Sequence, residues 1–522
     1  MKVLLVTGLL AEKSVHHYAR ESRVETEVLV LKTPVAAFLT PEQIASAVEN
    51  LKCRNFDFIL IPGLTRGDAS IVAEITGIPT FKGPRYAADL AVVLEALGKV
   101  ELSTVTPACE ILAEELQRKA LLELEVVEKA KNVLLKKPGN MLIKGLAIGR
   151  DFPMRVMAEI VDAPLIPADQ VKTLAKKYVA AGADIVDVGM VAGESIPLEA
   201  KRLVEAVKSV VDVPVSIDTL NPDEIIAAVS AGADIVLSLD AGNLEKIAPY
   251  VSKVAVVAIP TNQREGRSPK KAEERVNFLE EIITRAKKLG VAKIIGDLVL
   301  DPLNVLESFA AYRDFENRNP DVPLFVGISN VTELIDADSV GVNALLARLS
   351  SEVGAGILLA TEKSPKARGS IVEEVLASKM MFLAKKRNSV PKDLGIDLFI
   401  LKDKRMKEEP YDRELELETP VTNTVEKPEQ APLDGEGVFK IVLDRDEGKI
   451  AAIHFATAMI DKPDRIIKGE NAEAVYETIL DLGLVRRLDH AAYLGSELAK
   501  AEIALKTGKN YVQDAQLFRK GC

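Results

Sequence analysis

Ala181-Gly182-Ala183-Asp184-Ile185-Val186 recurs as Ala231-Gly232-Ala233-Asp234-Ile235-Val236, one helix-turn-strand joint written twice. The joint is generic to barrels of alternating strands and helices, so it speaks for fold and not for substrate. Working outward from it, eight apolar runs read as strands: Met141–Ile148, Asp184–Val188, Pro214–Ile217, Asp234–Leu239, Lys253–Ile259, Lys293–Leu300, Pro323–Ile328 and Gly356–Ala360. Segments long enough for a helix lie between them, among them Ala168–Ala180, Leu198–Val210 and Lys271–Leu289. Eight strand-helix units in about 245 residues match the size of a (β/α)8 TIM barrel.

At 522 residues the chain exceeds what one hydrophobic core holds. The expected class is α/β, with the barrel over 138–388 flanked by two further domains. Over 1–137 the runs Lys2–Thr7, Glu27–Leu31 and Phe56–Ile61 alternate with helical stretches, which implies a parallel sheet covered on both faces, a doubly wound Rossmann- or flavodoxin-like domain. A ligand there would sit beyond the strand ends near Gly8, Gly63, Arg66 and Asp68, although no GxGxxG or P-loop follows any strand. Lys136-Lys137-Pro138-Gly139-Asn140 breaks this zone from the next. Residues 389–434, mixed in charge and punctuated by Pro, read as a linker or irregular excursion. Residues 435–522 read as a small α+β domain: a hairpin of Val438–Leu443 and Ile450–His454, then helices Ala472–Leu482 and Leu488–Leu505. There His454 reads as a satisfied core residue, and His490 as part of a capped amphipathic helix.

A net charge of -11 without clustered Lys or Arg argues against nucleic acid as partner. Cys53, Cys109 and Cys522 are too few and too scattered for a disulfide framework and fit a reducing compartment. Charges interrupt every apolar stretch, so neither a signal peptide nor a membrane span is expected. A cytoplasmic homo-oligomer acting on small molecules is the expected setting.

Catalytic groups of TIM barrels come from the C-terminal ends of the strands. Those ends supply Arg150 and Asp151, Asp187, Asp218, Asp240, Asp301 and Asn330 among others. A single Asp closing a strand commonly caps a helix or turn. Four converging on one mouth, with Asn330 opposite, are harder to attribute to capping. Such a mouth suits a ligand rich in N–H donors or an all-oxygen Mg2+ site, with the metal ligands themselves left open. The 2-amino-4-oxo edge of a pterin would bind an ionised Asp by paired charge-assisted hydrogen bonds.

The blocks Gly182–Gly189 (GADIVDVG), Val213–Thr219 (VPVSIDT), Ala233–Gly242 (ADIVLSLDAG) and Leu300–Pro302 (LDP) resemble the pterin-binding blocks of dihydropteroate synthase in order and spacing. The three-zone layout resembles the archaeal dihydropteroate synthase-related family, whose members are linked to tetrahydromethanopterin synthesis. The resemblance implies that Asp218, Asp240 and Asp301 contact the pterin, with Asp218 and Asp301 as the catalytic candidates; the strand ends themselves add Asp187 and Asn330 to the expected pterin pocket. It implies a transferase that joins a hydroxymethyl-dihydropterin pyrophosphate to an arylamine, with Mg2+ sharing the departing charge. Where the synthases hold pyrophosphate, this chain reads GRDFPMR at 149–155, GMVAGESIP at 189–197 and Ser329-Asn330-Val331. Arg150, Arg155, Arg264 and Arg267 are therefore the phosphate candidates, the last two in a loop that reads equally as solvated surface or as a lid. The block VGISNVTEL at 326–334 is similar instead to pterin-dependent methyltransferases, which implies an alternative, methyl transfer between a tetrahydropterin and a separate corrinoid protein. A non-catalytic pterin-binding protein is the third reading.

Overall fold

The computed structural model describes residues 1–51, 55–402, 413–414, 417, 419–422, 424, 434–457 and 462–518. Half of 389–434, together with Cys53 and Cys522, lies outside them, while Cys109 is a free thiol. The chain divides into two compact units, 1–123 with 393–426 and 124–392 with 427–522.

In the first unit, β1 (Lys2–Thr7), β2 (Glu25–Val30), β3 (Phe58–Ile61) and β4 (Thr80–Lys82) form a parallel sheet in the order β2-β1-β3-β4. Connections leave β1 and β3 toward opposite edges, so a crevice opens between their C-terminal ends. A cavity of about 360 Å³ occupies it, walled by Leu5, Tyr18, Leu60 and Leu64 beside Thr7 and Arg85. Gly63 permits this crossing, because a Cβ there would stand 2.6 Å from the carbonyl oxygens of Gly83 and Pro84.

In the second unit a short helix, Lys131–Leu134, leads into a hairpin of β5 (Asn140–Ile143) and β6 (Leu146–Gly149). Eight parallel strands then close a barrel: β7 (Arg155–Ile160), β8 (Ile185–Gly189), β9 (Val215–Asp218), β10 (Ile235–Leu239), β11 (Ala255–Ala258), β12 (Lys293–Gly296), β13 (Leu324–Val326) and β14 (Ala355–Thr361). The expectation that Met141–Ile148 is the first barrel strand is thereby corrected. Lys144 and Gly145, both at positive φ, fold that run back on itself, and the barrel begins only after the turn at Gly149–Pro153. The hairpin floors the barrel. Ile143 and Ile148 join the interior cluster of Met157, Ile185, Leu237, Val257, Phe325 and Ile357, and Lys293 at the start of β12 donates to the Leu142 carbonyl at 2.9 Å. With that floor packed, a ligand reaches the interior only from the C-terminal mouth.

The repeated hexapeptide has one physical job in both places. Gly182 and Gly232, at φ 100° and 92°, end their helices, and the amides of Ala183 and Ala233 close onto the carbonyls of Tyr178 and Ala228. The Asp that follows accepts from the amide opening the preceding strand, Asp184 from Val156 and Asp234 from Val215, each at 3.0 Å. Each copy therefore registers one strand against its neighbour.

After the barrel, β15 (Gly437–Asp444), β16 (Lys449–Ala456) and β17 (Arg465–Gly469) form an antiparallel sheet. Helices Ala472–Asp481 and Leu488–Thr507 pack Val475, Ile479, Leu494 and Leu498 against Ile441, Ile450 and Ile467. His454 is buried, its Nδ1 2.8 Å from Asp464. His490 lies 3.1 Å from Asp434, a residue that also accepts from the amides of Glu436, Arg486 and Arg487. Among the described residues no helix is long and apolar enough to cross a membrane.

Candidate functional site

Side chains alternate along a barrel strand, so a residue two beyond an inward apolar side chain also points inward. Met157 and Ile185 face the interior, which directs Glu159 and Asp187 into the mouth above them. Ser216 and Asp218 are related in the same way on β9, and Ile295 is followed by Asp297 just past β12. The strands are adjacent and in register, with Glu159 opposite Asp187, Asp187 opposite Ser216 and Gly189 opposite Asp218. One carboxylate oxygen each from Glu159, Asp187 and Asp218 lies within 4.8 Å of the others.

The electrostatics follow from that crowding. Burial, and then the charges of Asp218 and Asp162, push Glu159 up to about 8. Asp187, 0% exposed, is pushed well above the carboxylate range by burial and then by Asp218 and Glu159. Burial and the neighbouring Asp297 charge raise Asp218 to about 7. Asp297 is raised by burial to about 6, against the opposing hydrogen bonds of the Tyr312 hydroxyl and the Val299 amide. Like charges in a sheltered site favour shared protons or a bound cationic or donor-rich partner. Gly189 makes room for the cluster, since a Cβ there would stand 2.5 Å from Glu159 Oε1.

The residues expected from sequence divide clearly. Asp187 and Asp218 are in the cluster. Asn330 sits at the same end of the barrel, in the short helix after β13, and its Nδ2 donates to the Leu300 carbonyl at 3.3 Å. Asp301 accepts from the Leu303 amide at 3.0 Å and faces Arg275 and Lys270 at 3.4 and 3.5 Å, beside the cluster instead of in it. Asp240 folds into its own loop: its carboxylate accepts from the amides of Gly242, Asn243 and Gln263 at 2.8, 2.9 and 2.7 Å. That carboxylate fastens the turn after β10 to the turn after β11, a correction to its expected pterin contact.

Arg150 and Arg155 are corrected as phosphate ligands, because the misplaced first strand carries them to the opposite end of the barrel. Arg155 opens β7 and donates to the Ala147 carbonyl at 2.8 Å; Arg150 pairs with Glu316 at 2.9 Å and donates to the Pro320 carbonyl. Arg264 and Arg267 do lie at the mouth end, in the loop after β11. Both are exposed, and Arg267 stacks over Phe278 at 3.8 Å from its ring centre. Next to them a cavity of about 220 Å³ is lined by Thr261, Ser268, Lys270, Arg275, Asp301 and Asn330.

Glu159 and Asp297 were missed. Glu159 lies on β7, Arg155–Ile160, a run that is not among the eight expected strands. Asp297 was absorbed into an eight-residue run, Lys293–Leu300, of which only Lys293–Gly296 is strand. The signal was length, since the neighbouring barrel strands β11 and β13 have four and three residues.

Comparison with known proteins agrees with this architecture. The pterin binding enzyme family matches residues 166–356, a stretch that begins beyond Glu159. PterinBD-DUF4346 matches 433–514, and a family of unknown function, DUF6513, matches 1–85. An uncharacterized protein of Methanocaldococcus jannaschii is 42% identical over 99% of both chains. A Ycf91-like protein of a Nostoc species is 35% identical over 107 residues, 16% of this chain and 84% of its own. Solved structures similar to the chain include Yersinia pestis dihydropteroate synthase with a pterine-sulfa conjugate, at 20% identity and TM-score 0.38, covering 47% of this chain and 99% of that one. Dihydropteroate synthase from Xanthomonas albilineans with 7,8-dihydropteroate is also 20% identical at TM-score 0.38, over 48% of this chain and 100% of that one. With its length shared almost end to end with the M. jannaschii protein and its barrel matched by the pterin binding enzymes, the chain belongs to the archaeal dihydropteroate synthase-related family.

Proposed function

We propose that the chain is a dihydropteroate synthase-like transferase that joins a hydroxymethyl-dihydropterin pyrophosphate to an arylamine, in the synthesis of a cofactor of the tetrahydromethanopterin or folate type. The observation that carries this reading is the pair Asp218 and Asp297, two sheltered carboxylates near enough at one mouth for the charge of Asp297 to raise Asp218. Tyr312 and Val299 anchor one oxygen of Asp297, so the carboxylate has a fixed orientation. The 2-amino group and N3–H of a pterin form two parallel donors, and a carboxylate held in this way accepts both. Asn330 offers an amide to the same ring from the neighbouring loop.

In the condensation the amine nitrogen attacks the exocyclic methylene carbon as the bond from that carbon to the pyrophosphate oxygen breaks. Pyrophosphate leaves with the electron pair, and the new ammonium proton passes to solvent. Lys270 lines the same cavity as the buried Arg275, Arg264 lies in the same loop after β11, and the three supply positive charge for the departing group. The Asp218 and Asp297 carboxylates orient the ring, which makes the attack effectively intramolecular. Incubation of the full chain with both substrates tests the proposal: pyrophosphate and a coupled pterin-amine product are expected in equal amounts, and turnover of neither substrate overturns it.

One observation favours the alternative of methyl transfer. Arg150 and Arg155 face away from the mouth, which leaves less positive charge there for pyrophosphate, while Asn330 remains at the pterin end. A methyl-tetrahydropterin and a corrinoid protein in place of the two substrates, with the corrinoid spectrum as readout, separates the two chemistries.

A further inference from the structure

We propose that Glu159, Asp187 and Asp218 form a binding site for one hard divalent cation at the mouth of the barrel, drawn from three adjacent strands. The three donor oxygens lie within 4.8 Å of one another. Ligands on opposite sides of a cation are separated by twice the bond length, about 4.1 Å for Mg2+ and about 4.8 Å for Ca2+. The cluster thus has the span of a coordination shell.

Asp187 supplies the independent observation. It is 0% exposed, its Oδ1 accepts from the Ser216 hydroxyl, and its Oδ2 has no hydrogen-bond partner. A buried polar oxygen left without a partner is costly, and buried carboxylates are normally paired or coordinate a metal. Ser216 fixes the carboxylate and leaves the second oxygen for a ligand, as a second shell does around a metal. The chain provides little positive charge of its own there. Lys363, whose charge reaches Glu159, is already paired with Asp162.

Donor type fixes the class. Three carboxylates without His or Cys suit Mg2+, Mn2+ or Ca2+ and are poorly matched to Zn2+ or Cu2+. Glu159 and Asp218 are only partly buried, so the cation has a route in and keeps open positions for water or for an anionic substrate group.

The test is titration of the metal-stripped full chain with Mn2+, followed by its paramagnetic resonance signal, in the absence of any pterin. One Mn2+ per chain is expected, displaced by Mg2+ or Ca2+, with affinity about ten-fold or more weaker in Glu159→Gln and in Asp187→Asn. Asp301→Asn, outside the cluster, should bind as the unaltered chain does. Should Asp187→Asn fail to fold, Glu159→Gln at the partly exposed rim carries the test. Absence of stoichiometric Mn2+, or equal binding by Glu159→Gln, overturns the proposal. Because no pterin is present, the outcome stands apart from that of the transferase reading.

Discussion

Glu159 and Asp187 are register partners on β7 and β8, facing each other across two parallel barrel strands. Two acids held in register inside a closed barrel cannot move apart, so their repulsion is built into the backbone. Asp187 has the harsher surroundings, being fully buried with an unpaired oxygen. Asp187→Asn keeps the shape, lets Oδ1 go on accepting from Ser216 and removes the acid. In chelator at neutral pH the variant should unfold at higher urea than the parent, because a carboxyl raised by burial costs stability above the unfolded carboxylate range. Equal or lower stability there would mean that Asp187 is not under electrostatic strain.

Asp297 and Asp301 stand four residues apart and should separate in a binding experiment. Asp297 is sheltered and raised by burial, with Tyr312 and Val299 orienting it. Asp301 is held below the usual range, first by the Leu303 amide, and faces Lys270 and Arg275. Asp297→Asn should weaken affinity for a pterin by about 1.5–3 kcal/mol, the worth of a hydrogen bond to a charged group, and Asp301→Asn by much less, as read by calorimetry.

Asp240 is a loop fastener and its removal should be felt in stability. Asp240→Ala strips acceptors from three buried or half-buried amides, those of Gly242, Asn243 and Gln263. A loss of about 2–4 kcal/mol in urea unfolding is expected. Unchanged stability with lost pterin affinity would instead restore Asp240 to the binding site.

The C-terminal sheet carries an acid-sensitive lock. Burial opposes the ionisation of Asp434, yet the amides of Arg487, Glu436 and Arg486 and the ring of His490 outweigh it and hold its carboxyl below the ordinary range. A depressed folded value gives stability that is complete above the unfolded value, about 4, and is lost as pH falls through and below it. Hydrogen-exchange protection of β15 and β16 in the full chain, taken relative to the intrinsic rate at each pH, should fall between about pH 4 and pH 2, and Asp434→Asn should show the lower protection already at neutral pH.

The barrel was legible in the sequence because its joints are local. In the joint at 181–186 a glycine, a helix end and an Asp that reaches the neighbouring strand lie within six residues, so one stretch of sequence carries the whole geometry. Strand one failed for the complementary reason. Met141–Ile148 and Arg155–Ile160 are equally apolar, and what separates the floor from the wall is the positive-φ turn at Lys144-Gly145, a matter of backbone conformation and not of composition. That single displacement hid Glu159 and carried Arg150 and Arg155 to the wrong end. Asp240 shows the other limit, since its position at a strand end was readable but the amides that fill its carboxylate come from residues 242–263. The cavity beside Thr7 and Arg85 and the third strand of the C-terminal sheet, Arg465–Gly469, also depend on tertiary contacts that no periodicity announces.

The central claim is that carboxylates at the C-terminal mouth grip the donor edge of a pterin. Fluorescence titration of the full chain with 6-hydroxymethylpterin, run in parallel on the Asp297→Asn variant, tests it most directly. Saturable binding at one site per chain, weakened ten-fold or more in the variant, is predicted. Binding that ignores the substitution, or no saturable binding of any pterin, would contradict the account.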